Sequence, residues 1–379
     1  MMHKNRKSMQ LSNNRELSYT VLFLAALSLV LATIDASIPK PIPFLRIGLA
    51  NLPILIALMM LPAEDYFTLV LIKSLGMSII AGTLFSYVAL FSLAGSFASA
   101  IIMWVLYKIF TKHIGFLGLA LAGALASNST QLILARYFVF GSSVRFMIPL
   151  FLFAGLGSGI LLGIFALQFA KQSQWLKRFS EQHIQRTQSP QTITNISTIL
   201  QEQPGKPLSV LQILSLIIMA AVILGNTLPL AMGGFIAAWT IALIKTKREQ
   251  KRTPSLIMPV LVITGITLAH ILVPRGRILM NIIGIPITEQ ALIAGLKSGF
   301  FLEALIILSK NTIDSNLKFP GRLGNTLAQI INLYKLFFSI KPSIKSKAII
   351  ASIDEYLLTI ETHYEPHSLT HYTDNYIIR

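Results

Sequence analysis

Long apolar blocks, broken by short polar turns, run through most of this chain and limit what it can fold into more than any other feature. About 20 apolar residues make a helix that crosses a bilayer, because a rise of about 1.5 Å per residue must cover a hydrocarbon core of about 30 Å. Ten such blocks are readable, at roughly 19–36, 44–61, 66–82, 84–110, 116–137, 147–170, 208–225, 227–244, 255–273 and 288–310. Composition agrees: 54% of the 379 residues are hydrophobic and 12% charged, against about a quarter charged in soluble domains. The expected fold is an all-α polytopic membrane protein, ten transmembrane helices in a six-plus-four arrangement, with cytoplasmic amphipathic C-terminal helices.

Thirty-two Lys and Arg against 15 Asp and Glu give a net charge of +17, which on a soluble protein would point to nucleic acid. Here the charge is distributed by side. Lys4–Arg15, Lys108–Lys112, Lys171–Arg178 and KTKREQKR (245–252) alternate with loops that hold only Lys40, Arg136, Arg145, Arg275 and Arg277. Lys and Arg accumulate in cytoplasmic loops, so the chain is expected in the bacterial inner membrane, multi-pass, with both termini cytoplasmic. Nucleic acid is not implied. No small-residue cleavage site follows the first block, which is read as a retained span.

Residues 171–207 are polar and Gln-rich and close on Pro204, Gly205 and Pro207. Such a segment is a cytoplasmic linker. It separates a six-span domain (1–170) from a four-span domain (208–310), and a cytoplasmic tail occupies 311–379. In the tail, Leu323, Leu327, Ile330, Ile331, Tyr334, Phe337 and Phe338 recur at three- and four-residue steps, and 348–361 repeats the pattern. These amphipathic helices are expected on the inner membrane surface or against a partner.

Polar groups among lipid tails carry the functional signal, because each needs a cavity or a partner. The ionisable ones are Asp35, Arg46, Lys73, His270, Lys297 and Glu303. Asp35 closes the first span, Arg46 opens the second and Lys73 lies mid-span. They could line one pocket, or Asp35 could pair with Arg46 or Lys73 as a structural ion pair. Asn51 precedes Pro53, which frees backbone groups at the start of span 2. Ser127, Asn128 and Gln131 share a stretch of span 5, where interhelical hydrogen bonding is the alternative to ligand contact. Arg275 and Asn281 are placed near the outer surface. Small residues in AGLGSGILLG (154–163) are read as close helix packing. Lys297 and Glu303 lie about 240° apart around one helix, so each needs its own partner.

Enzymatic signatures are missing. The chain has no cysteine, no GxxxxGK[ST] phosphate loop and no HExxH-like spacing. Its aspartates (Asp35, Asp65, Asp314, Asp354, Asp374) are too scattered to hold magnesium on a diphosphate. The expectation is a protein that is not an enzyme.

IPKPIPFLRIGLANLPILIAL, KSLGMSIIAGTLFSYVALFSLAGSFAS and GALASNSTQL, within residues 25–165, resemble the Gx transporter family. Its members are often labelled heptaprenyl diphosphate synthase component I and are similar to the substrate-binding components of energy-coupling-factor vitamin transporters. This chain departs from the family in having Asp35 for Glu, Lys73 for Arg, Ser96 for Gly and Ser127 for His. GIPITEQALIAGLKSGFFLEALIILSKNTI resembles the last spans of the scaffold component of those transporters. Such scaffolds grip ATPases through Ala-Arg motifs on cytoplasmic helices; here the one Ala-Arg, Ala135–Arg136, is external, which leaves an ATPase partner open. The fused architecture resembles flavin transporters that accompany Rnf-type electron-transfer systems. That resemblance implies FAD or FMN as a transported ligand, with no prosthetic group, moved outward to a flavinylating enzyme or electron-transfer complex. Arg46, with Lys73 or Arg275, would neutralise phosphate. Asn51, Asn128 and Gln131 would meet the polar edge of the ring, with Asp35, Ser127 and Asn281 as further binding residues. The alternatives are uptake of a vitamin or other small molecule, a non-catalytic membrane subunit of prenyl diphosphate synthesis, and a scaffold for redox proteins.

The charge pattern makes a direct prediction. Reporter fusions at Gln191 and Gln250 should read cytoplasmic and one at Gly276 external; an external signal at Gln191 would overturn the six-plus-four division.

Overall fold

The computed structural model describes residues 19–37, 48–110, 113–188, 209–250, 253–282, 285–313, 321–340 and 349–364. Helix α1 (Tyr19–Ser37) is followed by a 3-10 turn (Leu49–Asn51) that leads into α2 (Leu52–Met60). Next come α3 (Ala63–Ile80), α4 (Tyr87–Ile109), α5 (Phe116–Ala135), α6 (Ile148–Gln172) and α7 (Gln174–Gln188). The second half holds α8 (Val210–Gly225), α9 (Leu228–Arg248), α10 (Ile257–Ile271) and α11 (Glu289–Thr312), and the tail holds α12 (Gly321–Ser339) and α13 (Ile349–Tyr364). A short antiparallel hairpin, β1 (Ile278–Ile282) with β2 (Ile285–Thr288), precedes α11 and interrupts an otherwise helical fold where the sequence suggested only a turn.

A helix stands at each of the ten apolar blocks. Five helical stretches among the described residues have the length and apolarity to cross a membrane: Tyr87–Ile109, Phe116–Phe146, Ile148–Gln172, Leu228–Arg248 and Glu289–Thr312. The chain is therefore a helical, multi-pass membrane protein. Thr20–Asp35, Leu49–Met60, Val210–Gly225 and Ile257–Ile271 are apolar but shorter. The second block differs most from its expected span. Gly48 takes a left-handed φ of +91°, the 3-10 turn follows, and Pro53 stands in the first turn of α2. The twelve residues Leu49–Met60 rise about 18 Å, well short of the hydrocarbon core.

Helix α1 is largely apolar and is buried on every side from Thr20 to Val30, with Val21, Phe23, Leu24, Ala25 and Leu29 fully covered. The Phe23 ring lies 5.6 Å from Trp175, 5.4 Å from Phe179 and 5.4 Å from Phe337. The third of these belongs to α12, so the tail helix does not rest its apolar stripe on the membrane surface. Leu327, Ile330, Leu333 and Phe337 are buried in the same core as α1, and the hydroxyls of Tyr334 and Thr33 meet at 3.1 Å. An amphipathic stripe needs only an apolar surface to cover it, and the chain supplies its own.

Helix α13 is tied down by a cap. The buried Asp354 carboxylate accepts the backbone N–H groups of Gln174 and Trp175 at 3.0 Å each and the hydroxyl of Ser173. A carboxylate at a helix N-terminus satisfies donors that have no partner within the helix and complements its dipole. Tyr356 donates to the Phe337 carbonyl, and burial pushes its phenol up to about 12, so the donor keeps its proton across the physiological range.

Glycines set the close contacts. Along α6, a β-carbon on Gly159 or Gly163 would stand 2.8 or 2.7 Å from a backbone α-carbon of α5, at Leu121 and Leu117. In α11, Gly295 and Gly299 bring Thr267 and Ile263 of α10 equally near.

The two halves meet at one end of the first. The turn between α3 and α4 packs on the last turns of α11, where the Phe85 N–H donates to Ser309 Oγ at 3.0 Å. The segment after α5 packs on the end of α10, where His270 Nε2 lies 3.0 Å from the Val139 carbonyl and Arg275 donates to Ser142. His270 sits beside Gly295, and from Gly295 to Ser309 the helix advances about 21 Å. Both contacts fall on the end of the first half that carries the α3–α4 turn and the α5–α6 connection. Helix α11 therefore crosses the ends of the first-half helices instead of running alongside them.

The α5–α6 contact should fail predictably. Gly159→Leu forces a side chain onto backbone and should cost about 1–3 kcal/mol or more, read as a lower melting temperature in detergent. Gly157→Leu, at an exposed position with open space around it, should be tolerated.

Candidate functional site

A polar cavity lies inside the first half, and its walls come from α1 and α3 to α6 and from the 3-10 turn. Asp35 stands in the last described turn of α1 with its side chain buried, and its Oδ2 accepts the Gly48 N–H at 3.2 Å. The left-handed conformation at Gly48, which glycine adopts at no steric cost, turns that N–H to the carboxylate. It also starts the 3-10 turn, closed by the Asn51 N–H on the Gly48 carbonyl at 2.9 Å.

Asn51 holds the N-cap position of α2 but makes no side-chain cap. Its amide turns to the cavity, and Oδ1 accepts from Lys73 Nζ at 2.7 Å. Lys73 is buried at mid-helix in α3. An ammonium in a dry interior is stabilised by charge-assisted hydrogen bonds, and this one bridges α3 to the start of α2.

The opposite wall is uncharged. Asn128 Nδ2 donates to the Phe151 carbonyl at 2.9 Å, tying α5 to α6, and Gln131 Nε2 donates to Ser127 Oγ at 3.2 Å. Gly95 makes room for that pair, since a β-carbon there would lie 2.8 Å from both Gln131 Nε2 and Ser127 Oγ. Ser92 and Ser96 of α4 and Ser158 of α6 complete the polar lining. Ser92 Oγ and Gln131 Oε1 are buried without a hydrogen-bond partner among the described residues. Unpaired buried polar atoms are uncommon because each costs about 1–3 kcal/mol, and these two belong to residues that line one cavity. The cavity measures about 40 Å³, room for a few waters at roughly 10–15 Å³ each.

Of the residues singled out from sequence, the structure brings Asp35, Asn51, Lys73, Ser127, Asn128 and Gln131 together around this cavity. Arg46 lies outside the described residues. Arg275 and Asn281 are not part of the lining: Arg275 meets Ser142 by its side chain and Thr288 by its backbone, and Asn281 sits exposed on β1. Ser92 and Ser158 were not readable beforehand. A lone serine among apolar and small residues looks like packing, and only the helix orientations reveal a hydroxyl turned to a cavity. No cluster of metal-ligating side chains occurs among the described residues.

Residues 24–169 match the model of the family described as Heptaprenyl diphosphate synthase component I. Residues 209–315 match a domain of unknown function (DUF8519). A search of curated proteins and a search of solved structures each return no match. The first match supports the Gx transporter-like reading of the first half. The polar linker falls between the two matched regions.

The unpaired hydroxyl offers a test without any ligand. Ser92→Ala removes a buried group that has no partner, so the empty protein should melt at the same temperature or higher, by the equivalent of up to about 1–3 kcal/mol. A clear fall would show that the hydroxyl is satisfied.

Proposed function

We propose that this chain is a transporter of the bacterial inner membrane, both termini cytoplasmic, whose first half takes a polar solute into the cavity between α1, α3, α4, α5 and α6. The observation that carries this reading is the gathering of a carboxylate, an ammonium, three amides and several hydroxyls, drawn from separate membrane helices, around one space with two polar atoms left unpaired. A structural polar core would close on itself, whereas a binding site leaves hydrogen-bonding capacity for its ligand.

For the solute we propose a flavin nucleotide, FAD or FMN, moved outward to a flavinylating enzyme or an electron-transfer complex. The edge of the ring presents carbonyls and an N–H, which suit the amides of Asn51, Asn128 and Gln131 and the Ser92 hydroxyl. Lys73, and Arg46 from the neighbouring segment, would answer phosphate. A flavin is far larger than the 40 Å³ present, so loading requires the lining to part. The Gly48–Asp35 and Lys73–Asn51 hydrogen bonds are the contacts that would open. That small volume favours a second reading, uptake of a smaller vitamin-like molecule. A third, a non-catalytic membrane subunit of prenyl diphosphate synthesis, draws support from the description of the matching family; prenyl-transfer assays with and without this chain would test it.

Flavin titration of the purified protein in nanodiscs is the decisive measurement. Wild type should bind flavin, and Lys73→Met should weaken binding about tenfold to a hundredfold, the loss of a charge-assisted contact worth roughly 1.5–3 kcal/mol. Arg46→Ala should weaken FAD and FMN far more than riboflavin. A folded wild-type protein that binds no flavin would remove the cargo proposal, and equal losses for riboflavin and nucleotides would remove the phosphate role of Arg46.

A further inference from the structure

The hairpin between α10 and α11 takes no part in the cavity and is left without a cover. From Ile278 to Thr288 the chain carries no charge, and Asn281 and Thr288 are its only hydrogen-bonding side chains. Each strand is hydrogen-bonded to the other and to no further strand. Directly paired residues share a face of a ribbon, and successive residues point to opposite faces. Ile287 and Thr288 therefore point opposite ways, and so do their partners Met280 and Ile278. Met280 is 54% exposed and Ile278 57%, so β1 is open on both faces. In water, an uncharged apolar edge strand is an aggregation site, and a two-stranded ribbon is marginally stable by itself.

Its place in the fold identifies what covers it. Strand β2 ends at Thr288, and the membrane-spanning α11 begins at Glu289; β1 follows the apolar α10. At the base of the ribbon, Arg275 donates to Ser142, in the connection between the spanning stretches of α5 and α6. The ribbon thus lies at the ends of membrane helices from both halves.

Its surroundings agree. Arg277 and Arg145 are exposed there, the Arg145 guanidinium lies 5.1 Å from the centre of the Phe146 ring, and Tyr137 is exposed nearby in the chain. Glu289 is exposed at the other end of the ribbon. Tyrosines gather where hydrocarbon gives way to headgroups, and a guanidinium suits a phosphate. A protein partner laid on one face would leave the other bare, whereas acyl chains close round both. The outer edges of the ribbon keep backbone groups that have no strand to bond, which hydrocarbon does not tolerate. That excludes the bilayer centre and leaves the boundary between headgroups and acyl chains, where water reaches the edges.

We propose that the β1–β2 hairpin is a phospholipid-binding element seated in that boundary. The apolar side chains of both faces lie among acyl chains, and Arg277 and Arg145 meet the lipid phosphates. Seated there, the hairpin holds at one depth the joint at which Arg275 of the second half meets Ser142 of the first. The anchor does not depend on which solute the cavity takes.

The test uses the full chain in nanodiscs, one copy per disc. The chain has no cysteine, so Ile278→Cys and Met280→Cys can each carry a nitroxide, one on each face. Ile160→Cys, exposed at the middle of α6, gives a lipid-facing reference, and Glu181→Cys, exposed on the polar α7, a water-facing one. Collisions are measured with oxygen, which concentrates in lipid, and with a nickel chelate, which stays in water. Both hairpin labels should relax more with oxygen than with the chelate, as Ile160→Cys does. A chelate-dominated response on either face, like that of Glu181→Cys, would overturn the proposal, since the ribbon is then left to water or to a protein absent from the disc. Shielding from both reagents would overturn it too, because protein would then cover the face. Where either variant does not fold, Leu279→Cys, exposed beside them, gives the same reading.

Discussion

A bilayer offers no water to a buried polar group, and that constraint organises the first half of this protein. The Lys73 ammonium in the middle of α3 needs acceptors, and Asn51 Oδ1, which accepts from it, belongs to a different element. For Asn51 to be there, the chain must break its second apolar block with a left-handed glycine and a 3-10 turn. The same turn presents the Gly48 N–H to Asp35. One buried ammonium and one buried carboxylate thus impose a shortened helix, and the shortened helix leaves the cavity. The charges are expensive in the membrane interior, and their environment accounts for how they are tolerated.

Much of this was legible in the residues, for different reasons in different places. The apolar blocks announced helices because nothing else satisfies backbone groups in lipid, and a helix stands at each. The polar residues inside those blocks drew attention because they violate the pattern, and six of them face one cavity. What was hidden depended on three-dimensional juxtaposition. An amphipathic stripe reads the same whether it lies on lipid or on protein, so nothing in α12 distinguishes a membrane anchor from a cover for α1. Arg275 and Asn281 share with the lining residues an apolar context and an expected outer location, but the hairpin carries them elsewhere. Ser92 has no periodic signal at all.

The crossing of α11 over the ends of the first-half helices also lies beyond any single-helix pattern. Alternation of basic loops orders the spans as if all were parallel, with Gly82 and Lys310 on opposite faces of the membrane. In the structure the Gly82 turn touches Lys310. That contact depends on how the two helix sets meet, which no single-helix pattern records.

The cover over α1 has a consequence for how the protein is made. Helix α1 leaves the ribosome long before the residues that close over it: the Thr33–Tyr334 contact joins positions 301 residues apart, and the Ser173–Asp354 cap joins positions 181 apart. Contacts so distant in sequence form late. During synthesis the aromatic face at Phe23 must wait, with lipid or a chaperone against it, until the tail arrives. A ribosome that stalls or a protease that cuts between α11 and α12 would release a protein with every apolar block present and its first helix uncovered. Docking of α12 is the step that completes the burial of the first helix.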